Sequence, residues 1–285
     1  IIGNNFSRKP GGKGANQALA AGRLGGNVNF IGSCGNDMFG DELISNLKNN
    51  NVNTEGVVRV DNNTGIASIT VEKGGNNKII IVEGANNDLK PTNIVDLDGK
   101  IESSDIIMLQ FEIPELSIEY IINKANDLNK KIILDPAPVK KIPTYLYNKI
   151  DFLLPNEGEL DQLIDIHNAS LNEKAAKLLE LGIGAVLLTK GKDGIVYFDN
   201  EGVKEFPAYN VQAVDTTGAG DAFAGAFAYA LTKKISISSA IKFASAVAAY
   251  SVTKLGAQDS FPSQIELKKF LKNNENEGLI LDKII

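Results

Sequence analysis

The chain has 285 residues, 43% hydrophobic and 22% charged, and a net charge of -6, a composition that suits a globular protein with a sizeable core. The acidic balance argues against nucleic acid or an anionic membrane as the main partner. The longest apolar run, Ala222 to Leu231, is far shorter than the ~20 residues of a membrane span. Single Cys34 and His167 residues exclude an internal disulfide, argue against a zinc set, and make a Ser-His-Asp hydrolase hard to build. With no signal peptide visible, a reducing cytoplasm is the expected compartment.

The length accommodates one large α/β domain, or one with a small attached element. Near the start, Gly11-Gly12-Lys13-Gly14-Ala15-Asn16-Gln17 forms a glycine loop that runs into an alanine-rich helix, Ala15 to Leu24. Paired glycines before a helix let a ligand approach the backbone closely, and Lys13 and Asn16 supply donors and an acceptor. The loop does not fit Gly-x-x-x-x-Gly-Lys-[Ser/Thr], and no Gly-x-Gly-x-x-Gly follows a strand, which removes the two commonest nucleotide-binding folds. Val28 to Cys34 reads as a buried strand, and Met38 to Asn49 as a helix. From Val57 to Val82 the pattern turns to alternation, with Ile66 to Glu72 and Lys78 to Val82 around the turn Lys73 to Asn77, predicting an antiparallel hairpin. So small a sheet cannot bury enough by itself, so it is expected to act as a lid, a dimer surface, or both.

From Asp105 strands and helices alternate: strand Asp105 to Gln110, helix Glu115 to Leu128, strands Lys131 to Leu134 and Phe152 to Leu154, helices Glu157 to Ile164 and Glu173 to Leu181. Strand Ala185 to Thr189, hairpin strand Gly194 to Phe198, and helices Ser238 to Thr253 and Ser263 to Lys272 follow. This order predicts an α/β fold, a Rossmann-like, mostly parallel sheet with helices on both faces, with the hairpin as a small antiparallel β lid. The α/β unit is assigned to residues 11–56 and 86–285 and the lid to 1–10 and 57–85. Ligands in such folds gather beyond the carboxyl ends of the strands, where Glu112, Asp135, Asn156, Glu159, Lys190, Gly191 and Asp215 fall.

The stretch Val211 to Phe223 organises the chemistry. Val211 to Val214 reads as the end of a strand, Gly218 and Gly220 permit a tight loop, and Asp221 to Leu231 reads as a buried helix. A helix start leaves backbone N–H groups aimed outward with the positive end of the dipole, which suits a phosphoryl group. The amides of Thr217, Gly218, Ala219 and Gly220 are therefore a candidate anion hole, and Asp221 a candidate base for an attacking hydroxyl. The plainer alternative is that Asp221 merely caps its own helix.

These two motifs, with Met108 to Glu112, Leu154 to Glu159 and Lys254 to Gln258, resemble the ribokinase family of carbohydrate kinases over nearly the whole chain. The resemblance implies ATP-dependent phosphorylation of a pentose, D-ribose to D-ribose 5-phosphate, with Asp221 as base. It places Gly12, Lys13, Asn16, Glu112 and Asp221 around the sugar. It puts Asn156, Thr189, Lys190, Gly191, Lys192, Asp193, Gly194, Gly220 and Ser245 at ATP, although other members often carry a larger side chain at the Ser245 position. Asn156 and Glu159 match an Asn-x-x-Glu element that holds magnesium through water. Asp215, Thr217, Ser251, Lys254, Gly256 and Ser260 match positions that bind a monovalent cation, potassium, several of them through backbone carbonyls. A homodimer through the lid is a further expectation. Family members carry, upstream of the paired glycines, a central strand with an Asn-x-Asp element for the sugar. Gly11 lies too near Ile1 for such a strand, which is expected to lie upstream of Ile1. Kinases of the same family for deoxyribose, fructose, a nucleoside or a keto-deoxy sugar acid are the alternatives, and a non-catalytic sugar- or nucleotide-binding regulator is a remote one.

Overall fold

The structure, a computed structural model, describes residues 6–71, 77–141 and 143–273. The chain runs through α1 (Lys13–Arg23), β1 (Val28–Gly35), α2 (Met38–Asn49), β2 (Val52–Val60), β3 (Ile66–Val71) and β4 (Asn77–Val82). Two short helices, α3 (Pro91–Ile94) and α4 (Asp98–Glu102), lead to β5 (Ile106–Leu109), α5 (Glu115–Asp127), β6 (Lys131–Leu134) and β7 (Phe152–Leu153). Then follow α6 (Glu157–Leu163), α7 (Leu171–Glu180), β8 (Ala185–Thr189), β9 (Ile195–Asp199), β10 (Gly202–Phe206), α8 (Ala219–Thr232), α9 (Ile237–Ser251) and α10 (Gln264–Asn273).

A six-stranded sheet in the order β10-β9-β8-β7-β6-β5 forms the centre. Strands β5 to β8 are parallel, and β9 and β10 extend the sheet antiparallel. Successive side chains of a strand point to opposite faces, so each strand feeds two cores. Ile133, Phe152, Leu187, Ile195 and Tyr197 pack on one face with Leu19, Phe223, Phe227, Phe243 and Val247 from α1, α8 and α9. Ile132, Leu134, Leu153, Val186 and Leu188 pack on the other with Ile118, Ile122, Leu160 and Leu178 from α5, α6 and α7. Several helices start where their sequence dictates. Asp37 caps α2 by accepting from Gly40 N, Ser170 and Glu173 form a reciprocal box on α7, and Ser236 caps α9. Among the described residues no helix is long and apolar enough to cross a membrane.

Four expectations are revised. Residues 52–60 form β2, which pairs in parallel with β1 as a separate two-stranded sheet, so the alternation from Val57 belongs partly to this strand and not to the hairpin. The hairpin pairs Ile66–Val71 with Asn77–Val82 antiparallel; Glu72 and most of the expected turn lie within 72–76, outside the described residues, as do residues 1–5 of the expected lid. Val211 to Val214 is not a strand. Val214 N and Asp215 N donate to Val252 O, at 2.7 and 3.2 Å, so the end of α9 takes the backbone bonds that a sheet neighbour would have offered. Helix α7 begins at Leu171, before the expected Glu173, because Ser170 provides the cap.

Candidate active site

Two helix starts meet at the carboxyl ends of the parallel strands. Helix α1 begins after Gly12, whose φ of 91° suits glycine and which has no side chain to cap the helix. Instead Glu112, just past β5, accepts from Lys13 N at 2.7 Å, a carboxylate at the positive end of the helix. Helix α8 begins at Ala219, two residues before the expected Asp221, with Gly218 in the left-handed region at φ 77°. A Cβ on Gly218 would lie 2.8 Å from the Ala257 Cβ, so both conformation and space require glycine.

Asp221 sits in the first turn of α8 and is 7% exposed, yet α8 has no side-chain cap. Its carboxylate turns to α1. Asn16 Nδ2 donates to Oδ2 at 2.7 Å, and Gln17 Nε2 donates to Oδ1 at 3.0 Å. The capping alternative is thereby removed. Gln17 Nε2 also donates to Asp135 Oδ2 at 2.7 Å, and Lys13 Nζ lies 3.4 Å from the same oxygen. Lys13, Asn16, Glu112, Asp135 and Asp221 thus converge although they come from four separate stretches of chain.

Burial governs the charges here. It pushes Asp135 up to about 7 against the pull of Lys13. Burial also raises the carboxyl pKa of Asp221, opposed by Lys13, Asn16 and Gln17, and that of Glu112, opposed by the backbone N–H and charge of Lys13. For Lys13 burial works downward, but Asp135, Asp221, Glu159 and Glu112 outweigh it and keep the ammonium protonated. One ammonium faces several carboxylates, so a polyphosphate would need further positive charge to settle here.

Of the four amides expected in an anion hole, Thr217 N donates to Asp215 Oδ1 at 2.9 Å and Ala219 N donates to Thr216 O at 3.2 Å. Those two are engaged within the chain, so only the amides of Gly218 and Gly220 remain candidates for such a hole. A Cβ on Gly220 would meet nothing within 4 Å, so the space before it is open.

Asn156 and Glu159 form a reciprocal cap on α6: Glu159 N donates to Asn156 Oδ1 at 2.9 Å, and Asn156 N donates to Glu159 Oε2 at 2.8 Å. Asn156 is bridged to Thr189 across the ends of β7 and β8. Thr189, Lys190, Gly191, Lys192, Asp193 and Gly194 form the turn into β9, closed by Lys190 N donating to Gly194 O at 2.8 Å, with Gly191, Lys192 and Asp193 exposed. Ser245 lies in the middle of α9. Its Oγ is the one buried side-chain polar atom among the described residues without a hydrogen-bond partner.

The six residues matched to a cation site occupy two segments that meet. Gly256 N donates to Asp215 Oδ2 at 2.8 Å, and Thr217 Oγ1 donates to Asp215 Oδ1 at 2.7 Å; the Thr217 hydroxyl, the largest cause, holds the Asp215 carboxyl below its ordinary value. Ser251 Oγ donates to Ala248 O and Ser260 Oγ to Ala257 O, leaving their oxygen lone pairs available. The Lys254 ammonium is turned away, 3.1 Å from Glu266 Oε1 and over the Tyr250 ring, so only its backbone could serve a cation.

Sequence reasoning missed the parts played by Gln17, Gln110 and Gln258. Gln110 Nε2 donates to Gln17 Oε1, and Gln258 Nε2 donates to Asn16 Oδ1 at 2.8 Å. A signal was present for the first, since Gln17 adjoins Asn16 in the glycine motif. The other two fall in the stretches Met108 to Glu112 and Lys254 to Gln258 that carry the resemblance, but nothing in those stretches marks the partners they take.

The sequence pattern of the pfkB family of carbohydrate kinases matches residues 2–264. The ribokinase of Lactococcus lactis is 39% identical over 276 residues, which is 96% of this chain and 90% of that protein. The deoxyribokinase of Salmonella typhi is 34% identical, over 93% of this chain and 88% of that protein. The structure of Arabidopsis thaliana ribokinase complexed with ribose and ATP superposes with a TM-score of 0.90 at 31% identity, covering 97% of this chain and 91% of that one. With the family pattern spanning nearly the whole chain, and a buried carboxylate, a lysine and two helix starts gathered where α/β folds bind ligands, the chain belongs to the pfkB family of carbohydrate kinases.

Proposed function

We propose that this sugar kinase phosphorylates D-ribose to D-ribose 5-phosphate. The observation that carries the chemistry is the placement of Asp221: buried, unused as a helix cap, with both oxygens held by amides beside Lys13. Asp221 takes the proton of the attacking hydroxyl, contributing roughly 10²- to 10⁴-fold in rate. The amides of Gly218 and Gly220 face the charge that develops on the transferring phosphoryl group, and Lys13 neutralises part of it. Gly12, Lys13, Asn16 and Glu112 bound the sugar, with Glu112 also holding the start of α1. The ribose-bound plant relative and the bacterial ribokinase support ribose as substrate. Deoxyribose is the second reading, favoured by the Salmonella typhi deoxyribokinase.

ATP would lie at the turn Thr189 to Gly194 with Asn156 and Gly220, a reading supported by the unpartnered hydroxyl of Ser245, which would suit a ligand nearby. Asn156 and Glu159 would hold magnesium through water, a mode that fits an ion slow to shed its hydration. The carboxylates that surround Lys13 suit that extra positive charge. Magnesium, when bound, would neutralise the ATP phosphates. Potassium would sit at the meeting of 215–217 and 251–260, using Asp215, Thr217, Ser251, Lys254, Gly256 and Ser260, several through carbonyl or hydroxyl oxygens.

The β3–β4 hairpin, within the 57–85 stretch expected for the lid, would cover the rest of the chain and serve as a homodimer surface, while residues 57–60 go with β2 on β1. The support is the β3–β4 pair, on which Ile66, Ile69, Ile79, Ile80, Ile81 and Val82 are all exposed large apolar residues. A cytoplasmic setting suits a chain whose one cysteine, Cys34, is a free buried thiol.

The test is ADP release from ATP and magnesium with ribose, deoxyribose, fructose and adenosine, each in potassium and in sodium. Highest kcat/KM with ribose, raised by potassium, is expected. Preference for any other sugar would replace ribose, and equal rates in the two salts would remove the cation site.

A further inference from the structure

We propose that Gln17 is a positioning residue for Asp221, one arm of a carboxamide clamp whose other arm is Asn16 steadied by Gln258. The proposal rests on the reading of Asp221 as the base. Gln17 is 1% exposed, so its role has to pass through the groups it touches. A neutral amide nitrogen carries two N–H donors. One from Gln17 goes to Asp221 Oδ1 at 3.0 Å and the other to Asp135 Oδ2 at 2.7 Å. The Gln17 Oε1 accepts from Gln110 Nε2. Both donors and the oxygen are engaged, and rotating the amide by half a turn would set its oxygen against two carboxylates and its nitrogen against a donor. Its orientation is therefore fixed from both ends.

The second arm repeats the device. Asn16 Nδ2 donates to Asp221 Oδ2 at 2.7 Å, while Asn16 Oδ1 accepts from Gln258 Nε2 at 2.8 Å. Asn46 Nδ2 in turn donates to Gln258 Oε1 at 2.5 Å. Neighbouring residues on a helix of ~3.6 residues per turn point about 100° apart, so Asn16 and Gln17 reach the carboxylate from two directions. Two donors on two oxygens set the plane of the carboxylate and favour its ionised form where burial opposes it. A base aimed in this way keeps its remaining lone pairs toward the incoming hydroxyl, and a misplacement of about 1 Å costs on the order of 100-fold in rate.

The test compares Gln17→Glu, Gln110→Leu and Gln258→Leu with Asp221→Asn, measuring kcat, the KM for sugar, the pH dependence of kcat and the melting temperature. Gln17→Glu keeps the shape of the side chain, removes both N–H donors and adds a like charge, so kcat at neutral pH should fall roughly 10- to 100-fold. The acid limb of its pH profile should move to higher pH, because a carboxylate that loses a donor and gains a charged neighbour holds its proton more tightly. Gln110→Leu and Gln258→Leu should move the limb the same way by less. An acid limb and a kcat like those of the unaltered protein in folded Gln17→Glu would overturn the clamp. Should that variant fail to fold, the same result in folded Gln110→Leu and Gln258→Leu would overturn it. Lowered melting temperatures with an unmoved limb would make the network purely structural and overturn it too. Asp221→Asn separates the two readings. If it keeps near-full turnover, the base assignment falls and the clamp with it; if it is inactive while the glutamine variants behave as the unaltered protein, the clamp alone falls.

Discussion

Helices α1 and α8 come into backbone contact at Gly225, and Gly225→Ala tests whether that approach sets the rate. A Cβ there would lie 2.3 Å from Gln17 O and 2.9 Å from the Ala20 Cβ, whereas ordinary contact begins near 3.4 Å. Restoring contact to the carbonyl needs about 1 Å of separation between the helices, and the obstacle is backbone that no rotamer change can move aside. Overpacking of this kind costs about 1–3 kcal/mol. For a chain of this size that corresponds to a lowering of the melting temperature by about 2–4 °C per kcal/mol. The same shift draws Asn16 and Gln17 on α1 away from Asp221 on α8, so kcat should fall by roughly 10- to 100-fold. ATP binding should largely persist, because Asn156 and the turn Thr189 to Gly194 follow β7 and β8, and of the residues assigned to ATP only Gly220 lies on either of the two helices. The assay is coupled ADP release at saturating sugar and ATP, with thermal melts and nucleotide titration on the same preparation. A lowered melting temperature with unchanged kcat would show that the helices part without disturbing the carboxylate, and would refute the link between packing and rate.

Asp221→Asn should fold, bind ATP and lose turnover by about 10²- to 10⁴-fold; near-full activity in the ADP assay would exclude it as base. Asp135 has its carboxyl pushed up from 3.8 to about 7, so the folded state holds the proton more tightly than the unfolded state does. That stabilisation is complete below pH ~3.8 and is lost as pH rises through about 7, with an upper bound of about 4 kcal/mol. Asp135→Asn should therefore flatten the fall in stability across this window, and urea midpoints that run parallel to those of the unaltered protein from about pH 4 to about pH 8 would contradict it. Ile80→Glu puts a charge on a residue that is 66% exposed on the β3–β4 sheet. Light scattering should show a dimer before the change and a monomer after it, and a monomer before it would remove the interface.

Much of the architecture was legible because its causes are local. Short apolar runs such as Lys131–Leu134 and Ala185–Thr189, and helical spacing such as Met38–Asn49, announce themselves within a few residues. Strand β2 was harder to see. Val52, Thr54 and Gly56 are buried at alternate positions, but Thr and Gly carry too little apolar signal to mark that face. Val211 to Val214 failed in the opposite sense, since β-branched residues raise strand propensity while the backbone partners come from the end of α9.

The sequence by itself determined where the chemistry could start: two glycine-led helix beginnings, a carboxylate at Asp221, and polar residues following successive strands. Those features follow from backbone sterics and local periodicity, and they hold whatever the rest of the chain does. Only the tertiary structure decided what each group touches. Glu112 became the carboxylate at the head of α1, the amides of Thr217 and Ala219 were taken by their own loop, and Asp221 was turned from its own helix to Asn16 and Gln17. Asp221 and its partners Asn16 and Gln17 lie far apart in sequence and meet because α1 packs against α8 over Gly225, where the absence of a side chain lets the two backbones close on each other. Spacing along a chain cannot report such a contact, because it depends on the whole sheet that holds both helices in place.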